Sequence, residues 1–263
     1  MHLDMPDDPI DPAAQRVADR RRLAMAAKIS LTFVALLGVM FGVQGMMDWT
    51  PFAVRPLEPA GLLGLLTAPL LHGSPTHLVA NVSALLLLGM LSLTVYPKAT
   101  LRALPLIWLG SGLGAWLLGD AGSRHLGASG VTHGLMFLVF VLGLLRRDRP
   151  SIAAGMIAFF FYGGMLLTIL PQEPGVSWQS HLGGALGGLA AAWLFRRADP
   201  VPPRRRYSWE IEEEEAARAA ALDAGTFEPA SPRDVPVLWR RAPEQRGVVL
   251  DFPQRRQDAP PGD

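Results

Sequence analysis

Residues 127–145 read GASGVTHGLMFLVFVLGLL, an apolar run that opens on a serine flanked by glycines, with a histidine one turn later. Residues 129–145 contain no Asp, Glu, Lys or Arg, and as an α-helix they would extend about 26 Å at 1.5 Å per residue. Because the hydrocarbon core of a bilayer is about 30 Å thick, this run predicts a membrane-crossing helix with a serine at one end.

Charged residues are distributed unevenly around this run. Of the 47 Asp, Glu, Lys and Arg residues, only 12 lie in residues 29–195, whereas 1–28 hold 10 and 196–263 hold 25. A soluble domain of 167 residues, the length of 29–195, would need a more highly charged surface. The composition therefore predicts an all-α membrane protein. We therefore expect an N-terminal segment over 1–28, a membrane domain over 29–195 and polar, largely disordered tails. Within the C-terminal tail, 196–263, only residues 210–222 have a helix-forming composition.

The composition also excludes several kinds of site. The chain has no cysteine, which excludes disulfides, thiolate metal ligands, cysteine nucleophiles and thiol redox chemistry. Its net charge of +1 gives no indication of a nucleic-acid partner. Because the composition predicts a membrane protein, the expected partner is the lipid bilayer.

The membrane domain divides into six apolar runs, each close to the length of a transmembrane helix. They are residues 29–47, 78–95, 99–118, 129–145, 151–170 and 181–195. A seventh apolar stretch, 59–71, has only 13 residues and contains Pro69, so it is predicted to be re-entrant or interfacial. The expected fold is a six-transmembrane-helix bundle.

Lys and Arg near the span ends predict the orientation, because cytoplasmic loops carry an excess of them. Those on one side of the predicted membrane are Arg16, Arg20, Arg21, Arg22, Lys28, Lys98, Arg102, Arg146, Arg147, Arg149, Arg196, Arg197, Arg204, Arg205 and Arg206. The opposite side has only Arg55 and Arg124. Both termini are therefore predicted to be cytoplasmic, in a multi-pass protein of a cell inner membrane whose first run is an uncleaved anchor.

Three of the predicted spans begin with polar side chains at the same, non-cytoplasmic face of the membrane. His77 and Asn81 open the second span. Ser129 opens the fourth and His181 the sixth. Each has an ordinary structural interpretation when taken alone: a serine bonded to its own helix, an interfacial histidine, an asparagine that joins two helices. Polar groups are costly in hydrocarbon, however, and their shared depth indicates a functional site.

The residue types at this face suit acyl transfer. Ser129 would be the nucleophile and His181 the base that accepts its proton. The two can meet only if the fourth and sixth spans touch, and Gly184 and Gly188 form a GxxxG face that allows close helix approach. Gly127 allows a tight turn just before the serine.

An acyl-transfer site must also stabilise an oxyanion. The N–H groups at the start of the fourth span, the Asn81 amide and the His77 ring are suitable donors. No Asp or Glu lies in the second, fourth or sixth span, and the nearest outer carboxylates, Asp120 and Glu173, are in loops. The arrangement is therefore predicted to be a Ser–His dyad and not a triad.

Three motifs in this order resemble the rhomboid family. Residues 71–81 read LHGSPTHLVAN, which resembles the rhomboid pattern of two histidines and an asparagine at the second helix. The GASG at 127–130 is similar to the family's GxSG nucleophile motif, and HLGGALGG at 181–188 to its HxxGxxxG helix. The resemblance covers about residues 29–195.

The resemblance implies an intramembrane serine endopeptidase that works without a metal or another cofactor. Ser129 and His181 would form its catalytic dyad, and His77, Asn81 and the Ser129 amide would line the oxyanion hole. Its substrates would be single-pass or multi-pass transmembrane proteins, cleaved in or near their transmembrane segments. The stretch 59–71 would correspond to the family's half-submerged first loop.

Two positions depart from the family's pattern. Many rhomboids have a Trp-Arg pair in the first loop, where this chain reads Leu63-Gly64-Leu65. Many also have Tyr or Phe four residues after the serine, packed against the catalytic histidine, where this chain has His133. Two close histidines oppose each other's protonation, so we expect retained activity with a shifted pH profile.

Two alternatives stay open at the level of sequence. One is a catalytically inactive rhomboid-like protein that binds transmembrane segments without cleaving them; the retention of both dyad residues argues against it. The other is a metal- or haem-binding membrane protein that uses His77, His133 and His181. The absence of an HExxH pattern and of cysteine argues against this second alternative.

Overall fold

The computed structural model describes residues 12–171, 175–200 and 208–227. Its α-helices, in chain order, are α1 (Pro12–Gln44), α2 (Gly64–Thr67), α3 (Pro75–Val95), α4 (Pro97–Leu118), α5 (Ser129–Arg146), α6 (Arg149–Tyr162), α7 (Trp178–Phe195) and α8 (Ser208–Phe227). The described residues contain no β-sheet, only one isolated antiparallel bridge between Val54 and His125. The prediction of an all-α protein is therefore confirmed.

The chain divides into two units, with the boundary between Pro202 and Pro203. The first unit contains α1 to α7. In the second unit, α8 is a helix that includes the whole helix-forming stretch 210–222. Residues 196–200 of the predicted tail are described and belong to the first unit. Residues 201–207 and 228–263 of that tail lie outside the described residues, and the predicted boundaries at residues 28 and 195 stay predictions.

Four helices of the described residues are long and apolar enough to cross a membrane: α1, α3, α4 and α5. They correspond to the first four predicted spans. The helices at the last two predicted spans are shorter or less apolar: α6 has 14 residues, and α7 has 18 residues rich in Gly and Ala. The count of six crossings therefore stays a prediction.

Two helix boundaries differ from those predicted. Helix α1 begins at Pro12, well before its apolar run, because the Ala, Arg, Leu and Met residues that precede the run are good helix formers. The prediction of a disordered tail is thus wrong for residues 12–28. Helix α6 ends at Tyr162, although the apolar run continues to residue 170, because two glycines weaken the helix and the chain passes into the 3₁₀ helix Gly163–Leu166.

Helix α5 lies at the centre of the bundle. Of its 18-residue apolar window 67% is buried, against 39% or less for the other three candidate spans. It packs against α3, α4, α6 and α7. The polar residues Thr132 and His133 of α5 are buried and therefore face protein, where a polar group within a membrane is least costly.

Helix α7 packs closely against α5 through glycines. A Cβ atom at Gly184 would collide with the carbonyl oxygen of Gly130, and one at Gly188 with that of Gly134. The neighbouring Gly183 faces the backbone of α4 in the same way. Small residues thus let the α7 backbone touch two helices at once, as the GxxxG pattern indicated for spans four and six.

The segment between α1 and α3 consists of short helices of three to five residues and the loops between them. It contains the 3₁₀ helices Pro59–Leu63 and Ala68–Leu70, with α2 between them. This apolar stretch is too short to cross a membrane as a helix. Gln44, the last residue of α1, holds the segment beside α3 through hydrogen bonds of 2.9 and 3.0 Å with the main chain of His72.

Two tryptophans of α4 anchor the same segment. The Trp108 indole N–H donates to the carbonyl oxygen of Leu66 at 3.2 Å, and the Trp116 indole N–H donates to that of Glu58 at 3.0 Å. The segment is therefore held from α4, although it lacks the Trp-Arg pair that many rhomboids carry.

At the opposite end of the bundle, Asp199 caps α4 from a distant part of the chain. Its carboxylate accepts hydrogen bonds from the main-chain N–H groups of Lys98 and Ala99, both at 2.9 Å. The Arg146 guanidinium donates to the carbonyl oxygens of Asp199 and Pro200. These contacts join the ends of α4, α5 and α7.

Candidate active site

The turn before α5 determines where Ser129 lies. Gly127 has φ +116°, a conformation that favours glycine, and a Cβ atom there would collide with the ring of His77. The Gly127 N–H donates to the carbonyl oxygen of Ala68 at 2.9 Å, which ties the turn to the α1–α3 segment. Ser129 follows as the first residue of α5.

Ser129 and His181 are in direct contact. The Ser129 Oγ atom is 2.9 Å from His181 Nε2. His181 Nδ1 is 3.0 Å from the main-chain oxygen of Thr168. Because a carbonyl oxygen only accepts, Nδ1 carries the ring proton and Nε2 of the neutral ring presents a lone pair to the serine hydroxyl. The ring is thus oriented as a base toward Ser129.

His133 contacts both Ser129 and His181. Its ring is stacked on that of His181, with centroids 3.8 Å apart. Its Nδ1 atom is 2.7 Å from the main-chain oxygen of Ser129, and its Nε2 atom is 2.8 Å from Thr168 Oγ1. His133 is buried among α5, α7 and the residues that follow α6. It therefore contacts the main chain of Ser129 and the ring of His181.

The two predicted oxyanion residues are placed differently. The His77 ring lies against Gly127, two residues before Ser129. Asn81 is buried, and its side-chain amide donates to the carbonyl oxygen of His77 at 3.1 Å, within its own helix. The His77 ring therefore lies at the turn that precedes Ser129. One amide hydrogen of Asn81 is instead bonded to the main chain of α3.

His125 joins the loop before Ser129 to the start of α7. Its Nδ1 atom is 2.7 Å from Ser177 Oγ, and its Nε2 atom is 2.9 Å from Ser123 Oγ. Ser177 is also the residue that caps α7. Burial lowers the pKa of His125, with a smaller opposing effect from the Asp120 carboxylate. This histidine therefore fixes the distance between the two elements that bear Ser129 and His181.

No motif in the sequence marks Thr168, Ser177 or His125 as part of this arrangement. Thr168 acts partly through a main-chain oxygen, which every residue type has, so its identity carries no signal. No spacing in the sequence connects His125 to Ser177.

The described residues contain no group of three or more His, Asp or Glu side chains that could hold a metal ion. His133 and His181 are stacked face to face, so their nitrogens do not converge on one point. This geometry does not fit the metal-binding alternative.

Comparison with known proteins identifies the family. Residues 59–198 match the Rhomboid domain. An uncharacterized protein of Mycobacterium tuberculosis is 39% identical over 188 residues, which cover 67% of this chain and 78% of that protein. An uncharacterized protein of Mycobacterium leprae is 34% identical over 186 residues, which cover 67% of this chain and 74% of that protein. The resemblance in the motifs is thereby confirmed, and the chain belongs to the rhomboid family.

Proposed function

We propose that this protein is an intramembrane serine endopeptidase in which Ser129 is the nucleophile and His181 the general base. The observation that carries the proposal is the 2.9 Å contact between Ser129 Oγ and His181 Nε2. The hydrogen bond from His181 Nδ1 to Thr168 O supports it, because that bond keeps the ring proton away from the nitrogen that must accept one.

The reaction follows from this geometry. Ser129 Oγ attacks the carbonyl carbon of the scissile peptide bond while His181 Nε2 takes the hydroxyl proton. The imidazolium then gives that proton to the leaving amine nitrogen, the C–N bond breaks, and an acyl-enzyme remains. Water attacks the ester with His181 again as base, and the acid product and free Ser129 are released.

The oxyanion is held at the start of α5. The first N–H groups of a helix have no acceptor within the helix, and the helix dipole favours negative charge there. The Ser129 N–H belongs to this turn. The His77 ring beside Gly127 is the second donor we propose, and the second amide hydrogen of Asn81 is the third.

The arrangement in the membrane also belongs to this proposal. Helix α6 and the 3₁₀ helix Gly163–Leu166 together reach about 29 Å, and α7 reaches about 27 Å, both close to a bilayer core. These lengths support six crossings, with the stretch 59–71 half-submerged. The excess of Lys and Arg at one side supports cytoplasmic termini and an inner-membrane location, with cleavage near the opposite face.

Rhomboid proteins act on other membrane proteins within the bilayer. A transmembrane helix shields its carbonyl groups by hydrogen bonding, so it must unwind locally before Ser129 can attack. We therefore propose single-pass or multi-pass substrates with glycine or other helix-destabilising residues near the outer end of a transmembrane segment.

Labelling with a serine-directed fluorophosphonate tests the proposed nucleophile. The full chain in detergent is expected to form an adduct on Ser129, located by mass spectrometry, that is absent in Ser129→Ala and much slower to form in His181→Ala. Ser92→Ala is the matched control, because Ser92 is a buried serine bonded to its own helix at Gly89 O. A wild type that stays unlabelled would instead favour the inactive rhomboid-like alternative.

A further inference from the structure

Thr168 contacts both His133 and His181. Its main-chain oxygen is 3.0 Å from His181 Nδ1, and its Oγ1 atom is 2.8 Å from His133 Nε2. It lies after the 3₁₀ helix Gly163–Leu166, in the stretch that leads toward α7. One residue outside the regular helices therefore bonds to a ring on α5 and to a ring on α7.

The direction of these hydrogen bonds is determined by the acceptors. The main-chain oxygen of Ser129 only accepts, so His133 Nδ1 carries a proton and donates to it. In a neutral His133 ring, Nε2 then has a lone pair, and the single Thr168 hydroxyl hydrogen must point at it. The Met165 carbonyl oxygen, 3.2 Å from Thr168 Oγ1, is the other acceptor within reach of that hydrogen. A phenylalanine at position 133 would offer no acceptor, and the hydroxyl would turn to Met165.

We propose that Thr168 is a positioning residue for the Ser129–His181 pair; this inference rests on the proposed function. Its main-chain oxygen sets the tautomer and ring plane of His181. Its hydroxyl holds His133 so that this ring stays stacked beneath His181 and bonded to the Ser129 carbonyl oxygen. The two contacts come from one residue, so the orientation of His181 depends on the bond between Thr168 and His133.

The substitution Thr168→Val isolates the hydroxyl, because valine has nearly the same shape and keeps the main-chain oxygen. It leaves His133 Nε2 buried without a donor, and we expect His133 and the stacked His181 to shift. The expected effect on the full chain in liposomes is a fall in kcat of about tenfold with KM changed less than about twofold. Thr168→Ser, which keeps the hydroxyl, is expected to retain most of the wild-type kcat.

A double-mutant cycle with His133→Phe separates positioning from general packing. Thr168→Val is expected to lower kcat only in the His133 background, because in His133→Phe the hydroxyl has no ring acceptor to lose. Thr100→Val is the matched control, since the Thr100 hydroxyl is buried in α4 without a hydrogen-bond partner. An equal fall in kcat in both backgrounds would overturn the inference. So would a fall in kcat for Thr168→Ser as large as that for Thr168→Val.

A second readout keeps the inference separate from the proposed function. In protein with ¹⁵N-labelled histidine, Thr168→Val is expected to change the Nε2 chemical shift of His133, whereas Thr168→Ser is not. A wild type that cleaves nothing would contradict the proposed function and leave this measurement intact. An Nε2 shift that is the same in wild type and Thr168→Val would contradict the role of Thr168 itself.

Discussion

The imidazole rings of His133 and His181 are stacked face to face, with centroids 3.8 Å apart and planes inclined by 13°. His133 lies four residues after Ser129 on α5, and His181 lies on α7, so the stack joins the two helices that meet at the proposed dyad. Where many rhomboids have a Tyr or Phe beneath the catalytic histidine, this chain has a ring with two hydrogen-bonding nitrogens, and both nitrogens have partners here.

Substitutions of His133 are expected to separate stacking from hydrogen bonding. His133→Tyr keeps an aromatic ring beneath His181 and is expected to remain active, with a pH profile of cleavage that differs from wild type because one of two neighbouring titratable rings is gone. His133→Ala removes the ring and both hydrogen bonds and is expected to lower kcat about tenfold or more. Rates measured from pH 5 to 9 check both expectations, and an identical profile in His133→Tyr would contradict coupling between the rings.

Gly184→Ala is expected to reduce cleavage by at least about 100-fold. The new Cβ atom would collide with the main chain of Gly130, so α7 must move away from α5 and His181 away from Ser129. Misplacement of reacting groups by about 1 Å can cost this much. Gly42→Ala in α1 is the matched control, because its Cβ atom would meet nothing within 4 Å. Equal activity of the two variants would show that the close contact of α5 and α7 is not needed.

His125 is expected to make stability depend on pH. Burial lowers its pKa below the ordinary value of 6.5, so the unfolded chain binds the proton more readily than the folded protein. The free energy of unfolding therefore falls as the pH drops below 6.5 toward the lowered pKa, by at most about 1.4 kcal/mol per pH unit. His125→Phe is expected to weaken this dependence and, through two lost hydrogen bonds, to destabilise the protein by about 2 kcal/mol at neutral pH.

Thermal unfolding in detergent between pH 5 and pH 8 measures the contribution of His125. Arg124→Gln, at an exposed neighbouring position, is the control and is expected to behave as wild type. A wild type and a His125→Phe variant with the same slope against pH would rule out this role.

Asp199→Ala is expected to lower stability without changing the chemistry. It removes both hydrogen bonds to the first N–H groups of α4 and a negative charge at that helix start, a loss of about 2 kcal/mol or a fall in Tm of about 5 °C. Asp199→Asn, which keeps an acceptor, is expected to lose less. Glu213→Ala in α8 serves as the exposed control. If Asp199→Ala unfolds at the wild-type temperature, the cap contributes nothing.

Much of the site follows from the sequence, because polar residues in apolar runs are few and the predicted orientation of the spans puts them at one face. The meeting of Ser129 with His181 follows from that placement together with Gly184 and Gly188. Features that depend on main-chain atoms do not follow in this way: the Thr168 oxygen that orients His181 has no residue-type signature.

The sequence pattern also does not predict contacts between distant parts of the chain. Asp199 reads as one more charge after the last span, yet it caps a helix about a hundred residues earlier. The end of α6 at Tyr162 depends on two glycines within a run whose hydropathy alone predicts a longer helix. Hydropathy locates apolar runs but does not say where local backbone preference ends the helix.

Cleavage of a transmembrane substrate in liposomes is the decisive test of Ser129 as the nucleophile and His181 as its base. The full chain is reconstituted with a single-pass protein that has glycine near the outer end of its transmembrane segment, and the products are identified by mass spectrometry. We expect one main cut near that end with wild type and with Ser92→Ala, and no product with Ser129→Ala or His181→Ala. Equal product from wild type and Ser129→Ala would contradict these roles of Ser129 and His181.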